Sequence, residues 1–196
     1  MIVAISQRID IIPGRDEIRD SLDQALVSWI THAGFFPIPI PNMEMSDQLC
    51  ALLHKIKPDA ILLSGGNDIG QFKSRDVTEA TLLEYAASHE IPLLGICRGM
   101  QMMGSWLGAE LHPIKNHIGC NHSVKGIING VKNSYHAFSL SSCPKECEII
   151  SAGEDGEIEA VRHLTLPWEG WMWHPERESP FCESDLSRLK NLYHGN

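Results

Sequence analysis

Ile91-Pro92-Leu93-Leu94-Gly95-Ile96-Cys97-Arg98-Gly99-Met100-Gln101, continuing from Met102 to Leu111, decides how this chain is read. The apolar run stops at Gly95, a single cysteine follows, and beyond Arg98-Gly99 the spacing turns helical, with Met100, Met103, Leu107 and Leu111 on one face. The pattern predicts a strand, a sharp turn and a helix. Small residues at Gly95 and Gly99 let the backbone turn tightly enough to present Cys97 above the end of a sheet, as a nucleophile elbow does. A thiol at a helix N-terminus beside a base has a lowered pKa, and the thiolate is its nucleophilic form. A cysteine filling a gap in the core is the bland alternative, and a histidine partner decides between the two.

Composition narrows the classes. The chain has 196 residues, 43% of them hydrophobic, enough for a proper core and expected to form one domain over residues 1–196. A net charge of -9 argues against a phosphate-backbone partner, so no nucleic acid is expected. Met1 to Ile5 is apolar but is cut short by Gln7, Arg8 and Asp10, so it reads as a first strand and as neither a signal peptide nor a membrane span. Six cysteines in such a chain need no disulfides, and the expected location is the cytoplasm.

Working outward, Ile2 to Ser6 is a strand, and the loop through Pro13-Gly14 leads to a helix predicted from about Asp16 to His32. Phe35 to Ile40 reads as an edge strand because of Pro37, Pro39 and Pro41. A helix over Asp47 to Ile56, an apolar strand over Ala60 to Leu63 and a helix over Val77 to His89 follow. Strands alternating with helices predict a parallel sheet covered on both faces, with ligands at the C-terminal strand ends. That rule gathers Gln7-Arg8, the Ser64-Gly65-Gly66-Asn67-Asp68 loop and Cys97 into one place. Gly65-Gly66 frees backbone N–H groups for an oxyanion hole alongside the N–H of Arg98, or else is an ordinary tight turn.

After Leu111 the strand-like pieces shorten: His122 to Ile128, Ser134 to Leu140, Cys147 to Ala152, Ile158 to His163 and Gly170 to Trp173. This half is expected to be an antiparallel or mixed extension of the sheet, closed by a helix from about Ser184 to Tyr193. Of ten histidines, His174 alone sits in a constellation: an apolar strand delivers it, Pro175 stops pairing, and Glu176 is two residues on, where it can fix the imidazole tautomer. Cys97, His174 and Glu176 then form a nucleophile, a base and an orienting group.

Gly95 to Gln101, His174-Pro175-Glu176 and the Gly65-Gly66 loop together resemble the class I glutamine amidotransferase superfamily. Within it the chain is similar to the γ-glutamyl hydrolase branch, through Ile5-Ser6-Gln7-Arg8, Asn133-Ser134-Tyr135-His136, Glu157-Ile158-Glu159-Ala160 and Trp173 to Arg177. The resemblance implies a flavodoxin-like α/β fold and hydrolysis of a linear γ-glutamyl amide C–N bond through a thioester on Cys97. His174 would shuttle the proton, Glu176 would orient His174, and backbone N–H groups of Gly66 and Arg98 would hold the oxyanion. It further implies substrate contacts from Gln101, from the Ser134-Tyr135 backbone and from Gln7 and Arg8, with no cofactor. By spacing alone, Gln101 could equally face solvent.

The chain is shorter than the γ-glutamyl-γ-aminobutyrate hydrolases of that branch. Its size is similar to that of γ-glutamyl-CDP-amidate hydrolases of capsule and surface-sugar gene clusters, which free glutamate from a nucleotide phosphoramidate. Arg8, Arg15 and Arg19 are placed to meet such a leaving group or are a solvated helix start. His112, His117, Cys120 and His122 match no common zinc spacing, so an active-site loop is the simpler reading and no metal is expected. Trp168, Trp171 and Trp173 are read as core and pocket wall. The readings kept are a freestanding γ-glutamyl hydrolase acting on a small molecule, a glutaminase subunit feeding ammonia to a separate synthase, and an idle binding protein. The intact Cys97, Gln101, His174 and Glu176 disfavour the last. A homodimer and a synthase partner stay open.

Overall fold

Period-two alternation in three short strands sorts the hydrophobic core into two halves. In the computed structural model, which describes residues 1–195, β1 (Ile2–Ile5), β5 (Ala60–Leu63) and β6 (Leu93–Ile96) lie side by side and parallel. Val3, Ile5, Ala60, Leu62, Leu94 and Ile96 point to one face, where Leu26, Trp29, Ile30, Leu186 and Leu189 cover them. Ala4, Ile61, Leu63 and Leu93 point to the other, under Leu49, Leu53, Leu82, Leu83 and Met103. The covering residues belong to α1 (Gln24–His32) and α5 (Glu183–His194) on the first face, and to α2 (Ser46–Ile56), α3 (Lys73–His89) and α4 (Arg98–Trp106) on the second. Each such leucine, isoleucine or valine, fully buried, contributes roughly 1.5–3 kcal/mol of transfer free energy.

The sheet has nine strands, in the order β4-β1-β5-β6-β13-β12-β11-β8-β9. β4 (Phe36–Pro39) is the predicted edge strand: Phe36 and Ile40 donate their N–H groups to Met1 and Ile5 of the β1 side, while the intervening prolines need no partner. β13 (Trp168–Trp171) pairs parallel with β6, Trp168 opposite Leu93 and Trp171 opposite Ile96. Beyond it β12 (Ile158–His163), β11 (Cys147–Gly153), β8 (Ile118–Gly126) and β9 (Gly130–Tyr135) run antiparallel, as the expected extension.

Four expectations need correction. The helix predicted from Asp16 is a hairpin of β2 (Arg8–Ile11) and β3 (Ile18–Ser21), and α1 starts only at Gln24, where Asp23 caps it by accepting from the Ala25 N–H at 2.8 Å. Ile18, counted on the helical face, is exposed on this hairpin. The strand predicted from Ser134 to Leu140 breaks after Tyr135, and β10 (Phe138–Leu140) pairs instead with β7 (Leu111–Pro113) in a separate sheet. Leu111 therefore belongs to a strand, and α4 ends at Trp106 with Gly108 at φ +88. α3 starts at Lys73, four residues before its predicted start. Arg75, Thr78, Glu79 and Thr81 are buried along it, which hides its inner face from a hydrophobic count.

Candidate active site

Cys97 sits between β6 and α4 at φ 51 and ψ -107, a conformation that an L-residue keeps only when its surroundings impose it. Two glycines impose it here. A Cβ on Gly95 would stand 2.6 Å from the Gly99 carbonyl carbon, and one on Gly99 2.6 Å from that of Leu63. The helix start therefore packs directly on the strand ends. The Cys97 N–H donates to the Trp171 carbonyl at 2.7 Å, which fastens the turn to the end of β13.

Three residues past β13, His174 is buried, and its Nδ1 lies 2.6 Å from Glu176 Oε1. An N-H···carboxylate bond of that length fixes Nδ1 as the protonated nitrogen and turns Nε2 outward. Burial pushes the imidazole pKa down, but hydrogen bonding and charge from the Cys97 sulfur and the Glu176 carboxylate outweigh it and raise the pKa to about 9. The backbone around the ring is clamped: Asn133 accepts from the His174 N–H at 2.9 Å and donates to its carbonyl at 2.8 Å. Gly65 leaves room for the ring, since a Cβ there would come 2.6 Å from His174 Cε1.

Cys97, His174, Gly66, Arg98 and Gln101 share the lining of one cavity of about 310 Å³, together with Arg8, Tyr135 and Arg177. A second cleft of about 60 Å³, also lined by His174, is again bordered by Arg8, Gly66 and Arg177. The Arg177 guanidinium lies over the Tyr135 ring, 4.3 Å from its centroid. The Gln101 amide donates to the Phe138 carbonyl at 2.9 Å. Not every anticipated contact reaches the cavity. Gln7 donates its amide to the Ile40 carbonyl at 3.0 Å, and the Ser134 hydroxyl donates to the His117 carbonyl at 2.7 Å, so neither side chain lines it. Arg15 and Arg19 both face Glu17 on the hairpin, away from the cavity.

Behind the site lies a charged network that sequence reasoning missed. Arg75, with none of its surface exposed, donates to the Ser64 and Gly65 carbonyls at 2.8 Å each and to Glu79 at 3.1 Å. Glu79 also takes bonds from Ser6 at 2.8 Å and from Arg98, whose other nitrogen reaches Asp76 at 2.5 Å. The glycine loop and the turn after Cys97 are thus anchored to one carboxylate on α3. Burial lowers the pKa of Arg75 to about 10 and of Arg98 to about 9, values at which both stay charged at neutral pH. A buried Arg-Glu spacing on a helix is the signal that could have found the network. The histidine cluster expected in one loop is dispersed: His112 faces Glu157 at 3.1 Å, the Cys120 thiol donates to the Asn116 carbonyl, and His117 and His122 converge elsewhere with His136 and Glu159.

The glutamine amidotransferase class I family model matches residues 16–188. The chain belongs to the class I glutamine amidotransferases. Gamma-glutamyl-CDP-amidate hydrolase of Campylobacter jejuni is 36% identical over 132 residues, 64% of this chain and 65% of that protein. The carbamoyl phosphate synthase small chain of Clostridium perfringens is 32% identical over 62% of this chain, but the match spans only 35% of its own length. Anthranilate synthase component 2 of Methanocaldococcus jannaschii is 29% identical over 88% of this chain and 87% of its own. Among solved structures, a glutamine amidotransferase of Thermotoga maritima superposes with a TM-score of 0.65 at 16% identity, over 99% of this chain and 82% of that one. The chain therefore has the flavodoxin-like class I fold: a mostly parallel core sheet flanked by helices, with an antiparallel extension. Among the described residues no helix is long and apolar enough to cross a membrane.

Proposed function

We propose that the chain is one catalytic unit, working in the cytoplasm, that hydrolyses a γ-glutamyl amide and releases glutamate. The observation that carries this reading is the buried 2.6 Å contact between His174 and Glu176 beside a strained Cys97, all at one cavity. Cys97, its proton passed to His174 Nε2, attacks the γ-carbonyl while the backbone N–H groups of Gly66 and Arg98 stabilise the oxyanion. His174 delivers its Nε2 proton to the departing nitrogen, which leaves a thioester on Cys97. Water, deprotonated by the same nitrogen, then attacks the thioester, frees glutamate and regenerates the thiol. With its NH2 group committed to Phe138, Gln101 keeps its carbonyl oxygen for the glutamyl part, and the Ser134-Tyr135 backbone, of which Tyr135 lines the cavity, meets the glutamate head group.

For the leaving group we favour a nucleotide phosphoramidate, γ-glutamyl-CDP-amidate, in a capsule or surface-sugar pathway. The relative from Campylobacter jejuni bears that substrate in its name. Arg8 and Arg177 both border the cavity, and guanidinium forks suit phosphate oxygens. The alternative, a glutaminase delivering ammonia to a synthase, is favoured by the likeness to carbamoyl phosphate synthase and anthranilate synthase subunits.

The test is glutamate release by the purified protein alone, with glutamine, γ-glutamyl-γ-aminobutyrate and γ-glutamyl-CDP-amidate offered in parallel. The phosphoramidate is expected to turn over with a kcat/KM at least tenfold above the others, and Arg177→Ala is expected to raise its KM without doing so for glutamine. Turnover of glutamine alone, rising when a synthase partner is added, would establish the glutaminase.

A further inference from the structure

Between the ends of β8 and β9 and the start of β12, outside the reacting groups, three buried side chains converge. His117 and His136 are each 3% exposed and Glu159 not at all. His117 Nδ1 lies 3.3 Å from His136 Nε2, and both nitrogens are 3.5 Å from Glu159 Oε1.

Their outer contacts settle which nitrogens carry protons. His117 Nε2 faces the Asp155 carboxylate at 2.7 Å and so donates to it, and His136 Nδ1 faces the Phe138 carbonyl at 3.1 Å and so donates there. In neutral rings His117 Nδ1 and His136 Nε2 then both present lone pairs, aimed at each other and at a carboxylate. The imidazole nitrogens of His117, His122 and His136 each stand 3.5 Å from a Glu159 oxygen, longer than ordinary charge-assisted bonds, so the buried carboxylate is only loosely satisfied, which is costly. Three acceptors turned toward one point call for a cation between them.

We propose that His117, His136 and Glu159 bind a zinc ion. Ligands about 2.0–2.1 Å from a tetrahedral zinc stand about 3.3–3.4 Å apart, the spacing found here to within about 0.2 Å. Two imidazoles and one carboxylate are a zinc donor set, and the absence of thiolate from it disfavours softer ions. Asp155 supplies the carboxylate behind a ligating histidine that orients the ring and raises its basicity. His122 Nε2 stands 3.5 Å from the second Glu159 oxygen and can hold it in turn, which leaves the fourth position to water. A cavity of about 220 Å³ bordered by His117, His122 and Asp155 opens the cluster to solvent. The ion would tie the end of β9, with Tyr135 and His136 in the wall of the substrate cavity, to the central sheet.

The full chain, stripped with a chelator and dialysed, is titrated with Zn²⁺ alone against a chromophoric competitor, with thermal unfolding followed in parallel. One equivalent is expected to bind and to raise the midpoint. Cys97→Ser should keep that equivalent, whereas His117→Gln and Glu159→Gln should lose it. Because a core variant can simply fail to fold, Asp155→Asn is the second arm: its carboxylate is half-exposed, and its loss should weaken zinc about 10- to 100-fold. Co²⁺ substituted for zinc should give a tetrahedral spectrum without thiolate charge transfer. No binding by the wild-type chain would mean that the cluster is held by a proton and overturn the proposal. Undiminished binding in Asp155→Asn, or a thiolate band with Co²⁺, would overturn it equally.

Discussion

Asn133 holds His174 by the backbone, accepting from its N–H and donating to its carbonyl, so one side chain does what a neighbouring strand would do. The clamp carries the position of the imidazole across from β9. Asn133→Leu leaves two buried backbone groups unpaired and should cost about 1–3 kcal/mol for each that water cannot reach. Urea unfolding reads the loss. Glutamate release should fall more steeply than stability does, and a variant with full activity would rule out a positioning role.

Cys97→Ala should abolish glutamate release, by at least about a thousandfold, because no other group can form the thioester. The fold should survive, since alanine suits the buried site. Full activity would sink the assignment of the nucleophile.

His174→Ala should lose more activity than Glu176→Gln, because orienting a base matters less than having one. The pH profile adds a sign. With the folded pKa raised to about 9, the imidazolium persists through neutral pH, and kcat/KM should decline above about pH 9 as the proton for the leaving nitrogen is lost. Glu176→Gln removes one of the two groups that raise this pKa, so the alkaline limb should move to lower pH. By linkage, the stability contributed by this proton is fully present below about pH 6.5 and is lost as pH rises through about 9. Thermal midpoints of the wild-type chain and His174→Gln should therefore converge across that window.

Gly65→Ala places a methyl 2.6 Å from His174 Cε1, and the ring must swing aside. Activity should drop tenfold or more, the scale of a displacement under an ångström at a reacting group. Circular dichroism and the unfolding midpoint should stay near wild type. Unchanged kcat would show that the ring has another resting place.

Glu79→Ala strands the buried guanidinium groups of Arg75 and Arg98 without their shared carboxylate. Removing one member of a buried ion network costs about 3–5 kcal/mol. Chemical denaturation should show a loss of that size, against less than 1 kcal/mol for an exposed pair such as Arg162 with Glu148.

What the sequence made legible follows from how local each signal is. The elbow at Gly95 to Gly99 and the His174-Pro175-Glu176 element are runs whose chemistry and turn residues sit together, so both were readable. The hairpin of β2 and β3 was not, because Ile18, Leu22 and Leu26 mimic a helical period while Ile18 is exposed. Arg75 and Glu79 escaped for the opposite reason: charged residues imply solvent until a partner such as Arg98 is known to be buried against them. His136 and Glu159, just past β9 and at the start of β12, meet His117 only in the folded chain, a tertiary event with no trace in spacing.

β13 lies between β6 and β12, although more than seventy residues of chain separate it from β6. The first half of the protein can therefore build its parallel layers and its elbow while the thiol has no base beside it. Pairings of such long sequence separation carry the largest loop-closure cost, and they form after local ones. Insertion of the Trp168–Trp171 strand is what delivers His174 and Glu176 to Cys97. A chain synthesised only as far as Leu111 holds Cys97 without His174 or Glu176, so its thiol has neither base nor orienting carboxylate.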